Sequence, residues 1–264
     1  MDCAADVANA IFRHRHVLEA DIESFFDKVS HDKLMGMLKE MIVDPRVHRL
    51  IRQILTAGHQ EINKAWQAST EGTPQGGPLS PLLANIYLHY SLDTQFAWLK
   101  THRLNAQLFR YADDFVIVAK SKAELKLVSR WLTHWLKEAK LTLKAAKTRE
   151  VNMQNRYRSN ESKFDFLGFK FHLRAFKDNQ KRFWIARQPS EKARKNLRQN
   201  MEETLRPNLS PREAKRKAEA LWKGWAGYFR FSNANRVFYR EVKSVYRAQV
   251  RYLRRKYPAY PAVT

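Results

Sequence analysis

Hydrophobic and polar positions change their period several times along the chain, and each change predicts an element. His16 to Ile22 is a short apolar run with polar breaks, which reads as a strand. Ser30 then opens a helix whose inner face is Leu34, Met37, Leu38 and Met41, with His31 serving the helix start. Asp44-Pro45 offers a cap followed by proline at the first helical position, and Val47, Leu50, Ile51, Ile54 and Leu55 follow at helical spacing. Thr73 to Pro81 is a Gly/Pro-rich loop opening onto the apolar run Leu82–Leu88. Leu108 to Ala119 reads as two strands meeting at Asp113-Asp114. Ser121 with Glu124 predicts a capping box for a helix presenting Leu125, Val128, Leu132, Trp135, Leu136 and Ala139. Strand-like stretches recur at 141–152, 164–173 and 182–187.

Beyond Pro189 the pattern becomes helical. Ser190 starts a helix with Ala193, Leu197, Met201 and Leu205 on one face. Ser210-Pro211 with Glu213 starts a second, and a third runs through Val237, Phe238, Val245, Tyr246 and Leu253. The order is mixed α/β first and helices last, with the boundary near 175–188.

Composition narrows the function classes. At 264 residues the chain is long enough for one large domain or two ordinary ones. The single cysteine, Cys3, excludes an internal disulfide framework and zinc fingers built on paired cysteines. No apolar run approaches the ~18 residues of a membrane span. The early acids Asp2 and Asp6 argue against a transit peptide. These features point to a cytoplasmic protein.

Charge changes the picture most. Lys and Arg number 49 against 26 Asp and Glu, a formal +23. Residues 1–119 hold 12 basic and 14 acidic side chains, whereas 120–264 hold 37 basic and 12 acidic. A surplus of 25 in the second part implies a polyanionic partner, because Lys and Arg contacts to phosphates release counterions. The aromatics form no single amphipathic face, so nucleic acid is favoured over an anionic membrane.

Three carboxylates then stand out: Asp21 at the end of the first strand, and Asp113 with Asp114 between two apolar strands. One reading is an exposed turn. The other is a site in which hard oxygen ligands hold Mg²⁺ and substrate phosphates complete the shell. Two such ions, ~3.5–4 Å apart, would serve an in-line phosphoryl displacement. His14 and His16, as H-x-H without a third ligand, make a weak metal signal.

The surrounding strings decide between these readings. ADIESFFDKVSHDKL, GTPQGGPLSPLLANIYL, FRYADDFVIVAKS and FDFLGFKF occur in this order. Together they strongly resemble the palm of reverse transcriptases, most closely the group II intron type. LWKGWAGYFRFSNANRVFYREV is similar to the maturase (X) region that follows the polymerase in those proteins, so the likeness runs from about Asp6 to Lys256. Pro74-Gln75-Gly76 fits this branch better than diversity-generating reverse transcriptases, which carry Ser-Gln there. The implied fold is α+β: a right-hand polymerase palm over 1–175, with the last helix of the fingers, followed by a basic α-helical thumb/maturase module over 188–264.

Site roles follow from the resemblance position by position. Asp21, Asp113 and Asp114 would be the catalytic metal aspartates, with the main-chain carbonyl of Ile22 as a further Mg²⁺ ligand. Phe26 would lie under the nucleotide sugar and discourage a 2′-OH, with core packing beside Phe25 as the competing role. Gln75 would touch the incoming nucleotide, and Gly76 and Gly77 would let backbone approach it. Tyr111 would pack near the nascent pair, again with core packing as competitor. Lys147 lies where similar enzymes place a lysine associated with pyrophosphate. Phe166, Leu167 and Gly168 match the segment that positions the primer end. Arg187, Lys192, Arg194, Lys195 and Arg198 would track an RNA backbone. Trp222, Trp225, Tyr228 and Phe229 could stack bases, but their spacing fits the apolar seam of a small bundle better.

The implied function is RNA-directed DNA synthesis from dNTPs on an RNA template, extending a DNA primer or target, with the same basic surface binding intron RNA to assist splicing. Two departures accompany it. Only 20 residues precede Asp21, so most of the fingers is expected to be missing, and a fragment, a truncated gene or half of a split bacterial protein is expected. No appended zinc-dependent endonuclease is expected. The expected partners beyond nucleic acid and nucleotides are a second copy of the chain in a homodimer or a complementing N-terminal segment supplied by another chain. The alternatives are a catalytically silent RNA-binding maturase and a CRISPR-associated or domesticated reverse transcriptase.

Overall fold

In the computed structural model, residues 3–57, 70–74, 76–102, 104–153, 162–175 and 183–258 are described. They divide into two units, Met1–Asn155 and Arg156–Thr264.

The first unit is organised by the apolar run His16–Ala20 (β1), a central strand. Residues Asp114–Ala119 (β3) pair antiparallel on one edge of β1, and Arg149–Asn152 (β4) on the other. Gln107–Tyr111 (β2) continues the sheet beyond β3, giving the order β2-β3-β1-β4. Every residue from Phe115 to Ala119 is buried, the pattern of a strand covered on both faces. Cys3–Arg13 (α1) packs against β2 and β3. Lys122–Glu138 (α6) packs against β1 and β3, burying Leu125, Val128, Leu132, Trp135 and Leu136. His31–Met41 (α2), Pro45–Thr56 (α3) and Ser80–Leu88 (α4) add to the same core. A π-type turn at His89–Asp93 joins α4 to Thr94–Thr101 (α5).

Several expected details shift. The turn between the two strands is Ala112-Asp113, and Asp114 is already the first residue of β3, paired with Tyr111. The 141–152 stretch holds an isolated bridge at Leu143 and a short 3₁₀ turn before β4, rather than one strand. Ser121 accepts from the Glu124 N–H, but Glu124 bonds the N–H groups of Asn105 and Lys120, so the box is not closed. Ser30 makes no side-chain cap bond. Met41 and Leu50 are exposed, leaving Ile51 and Leu55 as the buried positions of α3.

The second unit contains an antiparallel sheet of Lys163–Phe166 (β5), Phe169–Ala175 (β6) and Phe183–Pro189 (β7). Phe164 and Phe171 stack across β5 and β6, with centroids 4.9 Å apart. The helices are Glu191–Thr204 (α7), Pro211–Tyr228 (α8) and Asn235–Lys256 (α9). They share a core of Leu197, Met201, Leu205, Ala214, Ala218, Ala248 and Tyr252. The Ser210–Glu213 capping box is complete. Trp222 and Trp225 stack and pack against the core, as the seam reading requires. Glu241 of α9 is only 1% exposed, and Arg198 of α7 donates two hydrogen bonds to it, at 2.8 and 2.7 Å. The division at 155/156 thus differs from the change of style near 175–188, because the β5–β7 sheet clusters with the helices.

Candidate active site

The β1–β3 register ends at Ala20 opposite Phe115. Extended by one residue, it sets Asp21 opposite Asp114, so strand pairing alone brings two sequence-distant carboxylates to one edge. Asp113 follows at the hairpin turn, where Ala112 takes a φ of 53°. Two-residue hairpins favour such left-handed turn positions because they match the strand twist.

Arg110 holds that turn. Its side chain is only 13% exposed and donates to the Ala112 carbonyl at 2.9 Å and to Asn85 at 3.0 Å. The same guanidinium forks onto Asp93, with Nε at 2.8 Å. The π-type turn after α4 therefore places an acid that orients the arginine bracing the aspartate hairpin.

Lys147 completes the constellation. Its Nζ lies 2.6 Å from Asp21 Oδ2, with Asp21 17% and Lys147 61% exposed. The hydrogen bond and charge of Asp21 push the ammonium pKa up, and Asp114 and Asp113 act in the same direction. All three carboxylates therefore act on one cation.

A backbone carbonyl joins them. Glu23 N–H donates to Thr142 O at 2.9 Å and Lys144 N–H to Asp21 O at 2.8 Å, flanking the Ile22–Leu143 bridge. In such a pair the central residue's own N–H and C=O point away from the partner. The Ile22 carbonyl consequently faces the β3 side. The donors are all oxygens, which suits a hard divalent cation. Among the described residues no three His, Cys, Asp or Glu side chains form a ready cluster for a metal, and Lys147 holds one Asp21 oxygen. Lys147 reaches Asp21 from an exposed stem, so its ammonium can withdraw into solvent when a metal takes the carboxylate oxygen.

The Gly/Pro loop is bolted to the segment after Asp21. Gly72 N–H donates to Val29 O and Thr73 N–H to Phe26 O, at 2.8 and 2.7 Å. His31 is buried and its Nε2 bonds Gly72 O at 2.7 Å, so it ties the loop rather than serving the helix start. Phe26 is half-buried against the core, its ring 5.3 Å from that of Phe25. Gly76 has a φ of 80° with open space around its Cα. Gln75 lies outside the described residues. Tyr111 is 67% exposed, which removes core packing as its role.

In the second unit, Leu167 and Gly168 form the two-residue turn between β5 and β6, both with positive φ. Tyr228 donates to Leu167 O at 3.0 Å and Ser190 N–H to Gly168 O at 2.7 Å, while Phe166 is buried below. Of the expected RNA-contacting cations, Lys192 and Lys195 are exposed. Arg194 pairs with Glu191 at 3.2 Å, Arg198 is engaged by Glu241, and the Arg187 N–H donates to Asn233. The bracing roles of Arg110, Asp93 and Gly72 and the tie from His31 to the loop were not read from the sequence, although Gly72 and Arg110 lie inside the quoted motif strings.

Residues 2–171 match the family described as reverse transcriptase (RNA-dependent DNA polymerase), and residues 194–263 match the group II intron maturase-specific domain. The chain belongs to the group II intron reverse transcriptase/maturase family. Among relatives of this family, Protein YkfC of Escherichia coli is 31% identical over 211 residues, which are 69% of this chain and 53% of YkfC. The group II intron-encoded protein LtrA of Lactococcus lactis is 47% identical over 75 residues, 28% of this chain and 12% of LtrA. The chain thus spans about half of YkfC and far less of LtrA. Apo telomerase from Candida tropicalis shares the fold, with a TM-score of 0.56 at 13% identity over 97% of this chain and 49% of that one. No helix among the described residues is long and apolar enough to cross a membrane.

Proposed function

We propose that this chain carries the nucleotidyl-transfer centre of an RNA-directed DNA polymerase, together with a basic surface for intron RNA. The observation that carries this reading is the strand pairing that sets Asp21 opposite Asp114, with Asp113 at the adjoining turn and the Lys147 ammonium on Asp21. Asp21, Asp113, Asp114 and the Ile22 carbonyl would hold Mg²⁺, which supplies charge stabilisation for transfer of a dNTP α-phosphate to a primer 3′-OH. Lys147, on an exposed stem, exchanges Asp21 for the nucleotide phosphates. The loop tied at Gly72 by His31 and Val29 brings Gly76 toward the nucleotide, for which Gln75 is the expected side-chain contact and Phe26 the partner under the sugar, and Tyr111 offers its exposed ring to the nascent pair. The rigid Leu167-Gly168 turn, seated over Phe166, offers backbone to the primer strand. Arg187, Lys192, Arg194 and Lys195 follow the phosphates of template or intron RNA, while Arg198 anchors α7 to α9.

Primer extension on an RNA template with dNTPs and Mg²⁺, run beside RNA-affinity measurements, tests this. Asp113→Asn should lower incorporation at least about a hundredfold, the scale of losing one charge-stabilising group, with RNA affinity unchanged. Equal loss of both would reject the separation of chemistry from binding. A second reading, a silent RNA-binding maturase, draws on the Asp21–Lys147 pair, in which the ammonium occupies one of the two Asp21 oxygens. It expects firm RNA binding and no incorporation by the unaltered chain.

A further inference from the structure

The second unit contains a cavity of about 540 Å³ that the proposed chemistry does not use. Its size lies within the roughly 300–1,000 Å³ of small-ligand pockets. The β6–β7 register sets Arg174 opposite Trp184, and both line the cavity, facing Arg194 of α7 and Arg236 and Arg240 of α9. Asn233 fixes the geometry. Its side chain accepts from the Arg187 N–H at 2.6 Å and donates to Ile185 O at 3.4 Å, and its own N–H donates to Arg187 O at 3.0 Å. The start of α9 is thereby pinned to the edge of β7.

The charge in this cavity is only partly compensated. Arg194 has Glu191 at 3.2 Å and Glu241 at 4.0 Å. Arg174 donates to the His172 ring at 3.0 Å. That ring is neutral near pH 7, because burial, with Arg174, Lys170 and Lys163 nearby, lowers its pKa to about 4. It therefore orients the guanidinium without cancelling its charge. Arg236 and Arg240 have no acidic partner among the described residues, and the start of α9 lacks a side-chain cap. Guanidinium groups around a half-buried indole match a phosphate with a base attached: the fork bonds phosphate oxygens, and the ring takes the base's π-face.

We infer that this cavity seats one nucleotide of a single-stranded nucleic acid, its phosphate against Arg174, Arg236 and Arg240 and its base against Trp184. The inference rests on the nucleic-acid-binding reading above and adds a discrete site to it. The site is built from residues of the second unit alone and recognises an unpaired base.

The test is fluorescence anisotropy of the full chain with a labelled 12-nucleotide single-stranded RNA, the same RNA carrying abasic positions, and the matching DNA. Trp184→Leu should weaken binding of the intact RNA about tenfold, the scale of one lost stacking contact, with the salt slope unchanged. It should hardly alter binding of the abasic strand. Trp184→Phe, which keeps an aromatic face, should retain most of the affinity and guards against simple misfolding. Arg236→Gln with Arg240→Gln should flatten log K against log salt by about 0.7, the share of one phosphate on a single strand. The larger Trp184→Leu effect, with RNA or with DNA, identifies the strand that sits there. Wild-type affinity in Trp184→Leu, or equal loss for intact and abasic strands, would overturn the site while leaving RNA binding elsewhere intact. No binding of any strand by the unaltered chain would remove the parent reading as well.

Discussion

At the scale of single residues, the proposed centre rests on side chains other than its three carboxylates. Arg110 is the main case. It bridges Asp93, Asn85 and the carbonyl of Ala112, so the position of Asp113 is set by a guanidinium three residues upstream in the chain. Arg110→Met should leave the carboxylates in place but loosen their turn. The expected outcome is a fall in nucleotide incorporation of about tenfold, equivalent to about 1.4 kcal/mol of barrier, with RNA affinity unaffected. Arg110→Lys should recover little, because a point charge cannot satisfy Asp93 and two carbonyl-type acceptors in one plane. Single-turnover primer extension checks both. Full incorporation by Arg110→Met, with only its thermal unfolding midpoint lowered, would assign Arg110 to stability alone.

At the scale of elements, the loop 70–74 and the segment after β1 behave as one piece. Gly72 has a φ of 85°, and a Cβ there would lie 2.9 Å from the carbonyl oxygens of both Phe26 and Asp27. The Phe26 oxygen is held in place, since it already accepts from the Thr73 N–H. Gly72→Ala should therefore destabilise the first unit by about 2 kcal/mol, the usual cost of a strained backbone position. Urea unfolding followed by far-UV circular dichroism measures it; a midpoint equal to wild type would show that the loop can lift off. The same elements show what the sequence made legible. Asp21 and Asp113-Asp114 were visible because a strand end and a hairpin are local patterns, and the ordered motif strings fixed their kinship. The seam of Trp222 and Trp225 was visible from helical spacing. His31 and Arg110 were not, because their partners lie 41 and 17 residues away. The one-residue shift of the turn to Ala112-Asp113 escaped for another reason: an alanine in left-handed backbone is not what turn preferences suggest. Arg198 looked like an RNA contact because charge on a helix face gives no hint of a buried Glu241 across the bundle.

At the scale of the whole molecule, the +23 charge is an argument about association rather than fold. Its placement makes a quantitative expectation. Residues 120–264 carry the surplus, and in α7 Lys192 and Lys195 are exposed, while Arg198 spends its charge on Glu241. If phosphate contacts come from that surface, Lys192→Gln with Lys195→Gln should flatten the slope of log K for single-stranded RNA by about 1.4, at ~0.7 per contact. Lys33→Gln with Lys39→Gln removes the same charge from exposed positions of α2, in the part of the chain without a surplus. It should leave the slope unchanged. Affinities measured across a range of salt concentrations separate the outcomes, because a diffuse effect of net charge would lower both slopes alike. In that event the basic surface would act through long-range attraction alone, and the assignment of individual lysines to the RNA path would fall.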